Sequence, residues 1–287
     1  MEENIIYATG LTKRFGDRVA VDHIDLAVKK GEVFGFLGPN GAGKTTTVRL
    51  LSSLATIDEG TVLIGGHDLV KEPRVAKSYM GVIQQHISLD KDLTVRENMM
   101  QHAMFHKIPR AERNQKIDEL VKYVGLEEYL DKMVDSLSGG WKRRVAIVCA
   151  LFHNPDIIFL DEPTAGLDIQ ARRLLWDLIR KLNADGTTVF LTTHYIEEAE
   201  SLCDRIGIIN HGKIITLDTP QNLCEQAGKV AVEFFKEDGR TEYRYFKSRE
   251  EAKEFSDTLG EEYTVLIRKT NLEDCFVMLT GDSVGGH

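Results

Sequence analysis

Gly38-Pro39-Asn40-Gly41-Ala42-Gly43-Lys44-Thr45-Thr46 lies between an apolar run, Glu32-Val-Phe-Gly-Phe-Leu37, and a helical pattern, Val48-Arg-Leu-Leu-Ser-Ser-Leu54. Strand, glycine loop and helix N-terminus in that order make a phosphate cradle. The glycines let the backbone turn tightly and aim its N–H groups inward, and the helix start adds partial positive charge that favours an anion. The string fits G-x-x-x-x-G-K-[ST], in which Lys44 supplies a point charge for the β- and γ-phosphates and the Thr45 hydroxyl is a ligand for Mg²⁺. This stretch predicts an α/β fold that binds a nucleotide.

Upstream, Ile5 to Val28 reads as strands, with Val19, Val21, Ile24, Leu26 and Val28 alternating with polar positions, the period of a half-buried antiparallel strand. Lys13-Arg-Phe-Gly16 interrupts them. Phe15 there fits either a core aromatic or a platform on which an adenine ring stacks. Downstream, Gly60 to Gly65 reads as a strand, Pro73 to Tyr79 as a short helix with proline in its first turn, and Met80 to Gln85 as a buried strand ending in two amides. Gln85 at that end fits a solvated terminus, or a residue that ligates Mg²⁺ or orients water. From His86 to about Phe152 the pattern is helical. Thr94-Val-Arg-Glu97 is a capping box, and Met99, Met100, Ala103, Met104 and Phe105 follow it, suiting either a core face or an adaptable apolar groove. A further helix is predicted over Arg110 to Val124, ending at Gly125.

Leu137-Ser-Gly-Gly-Trp-Lys-Arg-Arg144 comes next. Ser138 is placed to cap a helix that continues to Phe152, with Val145, Val148, Cys149 and Phe152 on one face. Gly139 and Gly140 at such a start leave backbone N–H groups open to an anion, or form a plain loop-to-helix junction. Ile157-Ile-Phe-Leu-Asp-Glu162 is an apolar strand that abruptly delivers two carboxylates, at the end where doubly wound α/β folds place their chemistry. Asp161 suits Mg²⁺, directly or through water, and Glu162 suits a base that takes a proton from attacking water. A strand-end salt-bridge pair is the simpler alternative.

Pro163 to Asp168 reads as a loop. Ile169 to Asn183 reads as an amphipathic helix with Leu174, Leu175, Leu178, Ile179 and Leu182 on its apolar side. Thr187 to His194 is another apolar strand; His194 at its end fits a structural imidazole or a γ-phosphate contact. Arg205 to Asn210 and Lys213 to Leu217 make a hairpin around His211-Gly212. Past Thr219-Pro220 the character changes: short strands over residues 230–246, a helix from Ser248 to Leu259 with a capping box Ser248–Glu251, a strand from Tyr263 to Arg268, and a helix from Asn271 to Leu279.

The chain has 287 residues, 42% hydrophobic and 28% charged, a globular composition with room for a large core in one or two domains. A formal net charge of −9 disfavours a nucleic-acid partner. Cys149, Cys203, Cys224 and Cys275 form no C-x-x-C pair and sit in mostly apolar or helical contexts, which predicts buried free thiols in a reducing compartment. Met1-Glu-Glu-Asn4 is acidic and does not read as a secretory signal. The longest apolar runs, such as Val145 to Phe152, are far shorter than the ~20 residues of a spanning helix.

The ordered set, Gly38 to Thr45, Gln85, Leu-Ser-Gly-Gly from Leu137, Ile157 to Glu162, Ala165-Gly-Leu-Asp168 and His194, resembles the nucleotide-binding subunit of ATP-binding-cassette (ABC) transporters. Ser-Gly-Gly ahead of the acidic strand is the specific signal, and the resemblance runs from about Ile5 to Asn222. The tail, with Leu272-Glu-Asp-Cys-Phe276, is similar to ATPase subunits of daunorubicin-resistance exporters. The resemblance implies a P-loop NTPase of ABC type: a RecA-like core, an antiparallel β subdomain and a helical subdomain over about 86–152. These lie within residues 1–222, and a small α/β regulatory or interaction region follows over 223–287.

It further implies that ATP and Mg²⁺ are the cofactors. Phe15 would stack on adenine, and Lys44 and the amides from Gly41 to Thr46 would hold the phosphates. Thr45 and Asp161 would position Mg²⁺, Gln85 would sense it and couple to a membrane-spanning subunit, Glu162 would be the general base, and His194 would contact the γ-phosphate. Ser138, Gly139 and Gly140 would bind ATP held by a second nucleotide-binding subunit, identical or different, with Asp168 reaching across the same interface. The place of action would be the cytoplasmic face of the cell membrane.

One position departs from the family pattern: Trp141 stands where the family usually has glutamine. The leading expectation is the ATPase motor of an exporter. An importer ATPase is the second reading. A soluble cassette ATPase of DNA repair or ribosomes usually carries a long coiled-coil insertion or two cassettes, and neither is in this sequence. A GTPase would need an Asn/Thr-Lys-x-Asp motif; Thr12-Lys-Arg-Phe15 lacks the aspartate.

Overall fold

The computed structural model describes residues 4–235, 241–260 and 263–280. In chain order, β1 (Asn4–Phe15) and β2 (Arg18–Lys29) pair antiparallel about the Gly16 turn, and β3 (Val33–Leu37) leads into the glycine loop and α1 (Lys44–Leu51). Then come β4 (Glu59–Ile64), β5 (His67–Asp68), α2 (Pro73–Ser78) and β6 (Met80–Ile83), followed by three helices, α3 (Val95–Phe105), α4 (Arg113–Val124) and α5 (Gly139–Leu151). The core resumes with β7 (Ile157–Asp161), α6 (Ile169–Ala184), β8 (Thr188–Thr193), α7 (Ile196–Leu202), β9 (Arg205–Asn210) and β10 (Lys213–Asp218). Last are α8 (Pro220–Ala227), β11 (Val230–Phe235), β12 (Thr241–Phe246), α9 (Arg249–Thr258), β13 (Thr264–Lys269) and α10 (Leu272–Thr280).

The central sheet has the order β10-β9-β3-β8-β7-β6, parallel from β9 to β6 with β10 antiparallel at one edge. β3, β7 and β8 are buried at every residue, as strands covered on both faces must be. Their alternate residues enter two different cores. Phe34, Phe36, Phe159 and Phe190 point to one side, where α1 and the antiparallel sheet β2-β1-β4-β5 pack on them, with the Phe34 and Phe190 rings 5.4 Å apart. Leu37, Ile158, Leu160 and Leu191 point to the other side, against α3 to α7. The strand period of two thus holds both subdomains on one sheet.

Local chemistry explains most boundaries. Thr94 and Glu97 make the predicted capping box in full, and Gly125 at φ 70° ends α4. Three expectations need correction. The helix predicted from Arg110 starts at Arg113, because Pro109 turns the chain and its carbonyl accepts from Glu112 N–H (2.9 Å). Leu174 is 48% exposed, and the aromatic Trp176 takes the buried side of α6 with Leu175, Leu178, Ile179 and Leu182. The Ser248 hydroxyl caps α9, but the Glu251 carboxylate returns to Lys247 N–H, so the reciprocal half of that capping box is shifted by one residue.

Helix α8 is capped by the Thr219 hydroxyl with Pro220 in its first turn. The expected division at 222/223 falls inside it. Beyond it, the three-stranded sheet β12-β11-β13 packs on α9 around Val232, Phe234 and Ala252. Leu272, Cys275 and Phe276 of α10 return to the main core, beside Leu223 of α8. Among the described residues no helix is long and apolar enough to cross a membrane.

Candidate functional site

Lys44 is the first residue of α1, so the six residues from Gly38 to Gly43 must reverse the chain between a buried strand and a helix. Two of them admit no side chain. A Cβ on Gly38 would lie 2.4 Å from the Ile209 carbonyl oxygen, and one on Gly43, at φ 111°, 2.5 Å from that of Ala20. Ala42 turns its methyl into the core, while Asn40, Gly41, Gly43, Thr45 and Thr46 face a cavity of about 690 Å³. Lys44 is only 4% exposed; its ammonium folds back to donate to the carbonyls of Gly38 (2.8 Å) and Pro39 (3.1 Å). Burial pushes its pKa down, opposed by the carboxylates of Glu162 and Asp161.

The acid pair sits opposite. Asp161 Oδ1 accepts from the Thr45 hydroxyl (3.1 Å) and from the Thr192 hydroxyl on β8 (2.6 Å). Glu162 follows at φ 46°, a left-handed conformation uncommon for a residue with a side chain. Its N–H donates to the Thr192 hydroxyl and carbonyl, which holds the turn. The Glu162 carboxylate then meets three groups from three segments. Oε1 lies 3.3 Å from Lys44 Nζ and 3.3 Å from His194 Nδ1, and Oε2 accepts from Gln85 Nε2 (3.1 Å). The His194 contact is a close approach without hydrogen-bond geometry. Phe15 stands at the cavity's outer wall, 56% exposed and outside any core, with Lys13 Nζ 5.6 Å from its ring centroid. Arg18, beside it, donates to the Gly41 carbonyl (3.0 Å).

Ser138, Gly139 and Gly140 are not in that cavity. Ser138 takes the N-cap position of α5, but its hydroxyl makes no cap bond. Ser138 and Gly140 line a separate depression of about 160 Å³ together with Trp141, Arg144 and Asp168. Asp168 caps α6 by accepting from Ala171 N–H (2.8 Å), and Gly140 passes so close to Ala171 that a Cβ would lie 2.9 Å from it. Trp141 packs on two side chains: Tyr129 stacks at 4.1 Å between centroids, and the Arg144 guanidinium lies 4.9 Å from the ring centre.

Sequence reasoning passed over Thr192, Arg18, Arg143 and Glu198. Arg143 is buried in α5 and donates to the carbonyls of Gln84 (2.8 Å) and Gln85 (3.1 Å). The helical spacing 143, 147, 151 carried the signal, since Ile147 and Leu151 are buried on that side. Glu198 is fully buried on α7 and accepts from Trp176 Nε1 (3.1 Å), and burial raises its pKa. Thr192 reads as one more β-branched residue in a buried strand.

Comparison with known proteins gives the family. The family model described as ABC transporter matches residues 21–165. The chain belongs to the ABC transporter family. It is 38% identical to the Nod factor export ATP-binding protein I of Sinorhizobium fredii, over 96% of this chain and 86% of that protein. It is 41% identical to the daunorubicin resistance ATP-binding protein DrrA3 of Streptomyces coeruleorubidus, over 79% of this chain and 72% of that one. A solved dimeric ATP-binding cassette in a post-hydrolysis state, bound to ADP and phosphate, superposes with a TM-score of 0.67 at 29% identity, covering 75% of this chain and 98% of that one. This ABC protein is therefore an ATPase subunit whose domain binds ATP, with the RecA-like core, antiparallel β subdomain and helical subdomain of that fold.

Proposed function

We propose that this ABC ATPase powers a membrane exporter, with ATP bound between the Lys44 cavity of one subunit and the Ser138–Gly140 surface of a second. One observation carries the reading: two surfaces with complementary chemistry for a nucleotide lie apart on the same chain. The Lys44 cavity holds the phosphate cradle and the Glu162 carboxylate, and the Ser138 depression offers an unbonded hydroxyl at a helix start with the amides of Gly139 and Gly140. Two copies face to face complete both sites, so a homodimer is the simplest assembly. The export and resistance names of the relatives support the direction of transport.

The roles follow from chemistry. Lys44, the amides of Gly41 to Thr46 and His194 bind phosphate; Phe15 offers its exposed face to adenine. Thr45, Asp161 and Gln85 form an oxygen-donor set suited to a hard cation, and they would hold Mg²⁺. The ion supplies charge neutralisation at the phosphates when bound. Glu162 takes the proton of the attacking water, which requires Lys44 to leave the carboxylate for phosphate and water to take the freed oxygen, while Gln85 holds the other. Closure brings Ser138 and Asp168 of the second subunit over the nucleotide, and hydrolysis releases them.

The membrane-spanning partner would seat on the helical subdomain beside Gln85. A groove of about 280 Å³ there is walled by Gln84, His86, Ile87, Leu89, His102 and His106, with Met104 and the 74%-exposed Phe105 on the same helix. Met99 and Ala103 are buried and do not belong to this surface, so the run from Met99 to Phe105 is divided between core face and exposed surface. The subunit would then work at the cytoplasmic face of the membrane without nucleic acid. The region 223–287 would serve as an interaction or regulatory appendage on the 1–222 cassette.

The test is Glu162→Gln. The amide is isosteric but takes no proton at neutral pH, so ATP binding should persist, turnover should nearly stop, and ATP should hold two copies together in size-exclusion chromatography. Wild-type hydrolysis in this variant would assign the base elsewhere; a chain that stays monomeric with ATP would remove the shared-site model for the isolated subunit.

A further inference from the structure

We infer that Arg143 is a positioning residue for Gln85, tying the helix that starts at Ser138 to the amide that holds Glu162. The inference rests on the placement of Gln85 and Glu162 in the hydrolytic site. Arg143 leaves α5 just over one turn after Ser138 and is 4% exposed. Its Nη1 donates to two successive carbonyls, Gln84 (2.8 Å) and Gln85 (3.1 Å). Both residues lie past Ile83, the last residue of β6, where the parallel ladder with β7 has ended. From Gln85 the connection continues through its side chain, Nε2 to Glu162 Oε2 at 3.1 Å. A single line of hydrogen bonds therefore runs from the Ser138 helix to the carboxylate that faces Lys44.

The choice of residue fits this task. A guanidinium is rigid, planar and permanently charged, so it fixes the direction of the backbone it grips as well as its distance. Burying it is costly, and Asp161 and Glu198 offset that cost with nearby negative charge. Its Nε is buried without a partner, so the fork holds an unused donor beside the segment it grips. The neighbouring Arg144 goes elsewhere, to the carbonyls of Val124 and Leu174, and braces α5 on α4 and α6. The two arginines thus divide the work: Arg144 fixes the helix in its subdomain, and Arg143 transmits the position of the helix to Gln85. When a second subunit's nucleotide engages Ser138, the shift of α5 reaches the Glu162 carboxylate of the same chain through this line.

The experiment is a double-mutant cycle on the full chain, reading steady-state ATPase and, by calorimetry, ATP affinity. Arg143→Met and Gln85→Ala should each lower kcat by about ten- to a hundredfold, the scale of a misplaced reacting group, with ATP affinity retained as proof that the Lys44 cavity is formed. Arg143→Lys, which keeps the charge but not the planar fork, should recover part of the rate, and it replaces Arg143→Met in the cycle if the latter does not fold. The decisive result is the combination: the Arg143 change should cost nothing further in a Gln85→Ala background. Losses that multiply, a loss confined to ATP affinity, or a wild-type kcat in the Arg143 variants would overturn the inference while leaving the functional reading intact. A wild-type kcat in Gln85→Ala would remove the role of Gln85 from that reading, and the inference with it.

Discussion

Replacing Trp141 by glutamine restores the residue usual in this family, and the structure predicts that it weakens this particular protein. Trp141 packs on two side chains, Tyr129 at 4.1 Å and the Arg144 guanidinium at 4.9 Å, and Lys132 Nζ lies 4.3 Å from the centre of the Tyr129 ring. An aromatic pair contributes about 0.5–1.5 kcal/mol beyond area burial. A half-exposed cation–π contact contributes about 0.5–1 kcal/mol. Trp141→Gln loses both, for a total of about 1–2.5 kcal/mol. For a chain of this size each kcal/mol moves the melting temperature by about 2–4 °C, so thermal unfolding followed by circular dichroism should shift down by several degrees. Trp141→Phe keeps the ring pair and should recover about half of the loss.

Calorimetry on the isolated chain should show unchanged ATP affinity for both variants, because Trp141 does not line the Lys44 cavity. Closure of the Glu162→Gln dimer should weaken, because the stack stands beside Ser138. An unshifted melting temperature in Trp141→Gln would refute the energetic reasoning. A large fall in single-chain ATP affinity would refute the placement.

Lys44→Ala removes a cation whose charge-assisted bonds contribute about 1.5–3 kcal/mol each, so two phosphate bonds lost should lower ATP affinity by about a hundredfold or more in calorimetry; unchanged affinity would sink the cradle assignment. Met104→Glu with Phe105→Glu should abolish pull-down of the membrane subunit and leave the soluble ATPase rate in place, since both side chains are exposed and remote from the phosphate contacts; retained pull-down would move the docking surface elsewhere. His106 has its pKa lowered to about 4 by burial, with His153 and His102 adding repulsion. Its contribution to stability is therefore complete above about pH 6.5, the unfolded-chain value, and is lost as pH falls from there toward 4, because the unfolded chain binds the proton first. His106→Asn should flatten that part of the stability–pH curve measured by urea unfolding; an unchanged slope would contradict the assignment.

Residue type and order by themselves determine the phosphate loop, the acid pair and the alternation of strands and helices around them. Those signals are local: glycines spaced between a strand and a helix start, an apolar strand that ends in carboxylates, a threonine–glutamate pair at a helix start. The family assignment follows for the same reason, since Gly38–Thr45, Leu137–Gly140 and Ile157–Glu162 are contiguous strings.

What the sequence could not settle depends on contacts between segments far apart in the chain. Phe15 was open between core and cavity wall until the pairing of β1 with β2 left it exposed beside Arg18. Leu174 and Trp176 exchanged roles because the direction of α6 over the sheet, and the partner Glu198 supplies to the indole N–H, decide which side is buried. Met99 went inside because α3 packs on α4 and α5. Arg143 is one of three consecutive basic residues, which the sequence presents as equivalent. Only the fold brings the carbonyls of Gln84 and Gln85 within reach of one of them, 59 and 58 residues away, because β6 and α5 lie side by side in space and not in the chain.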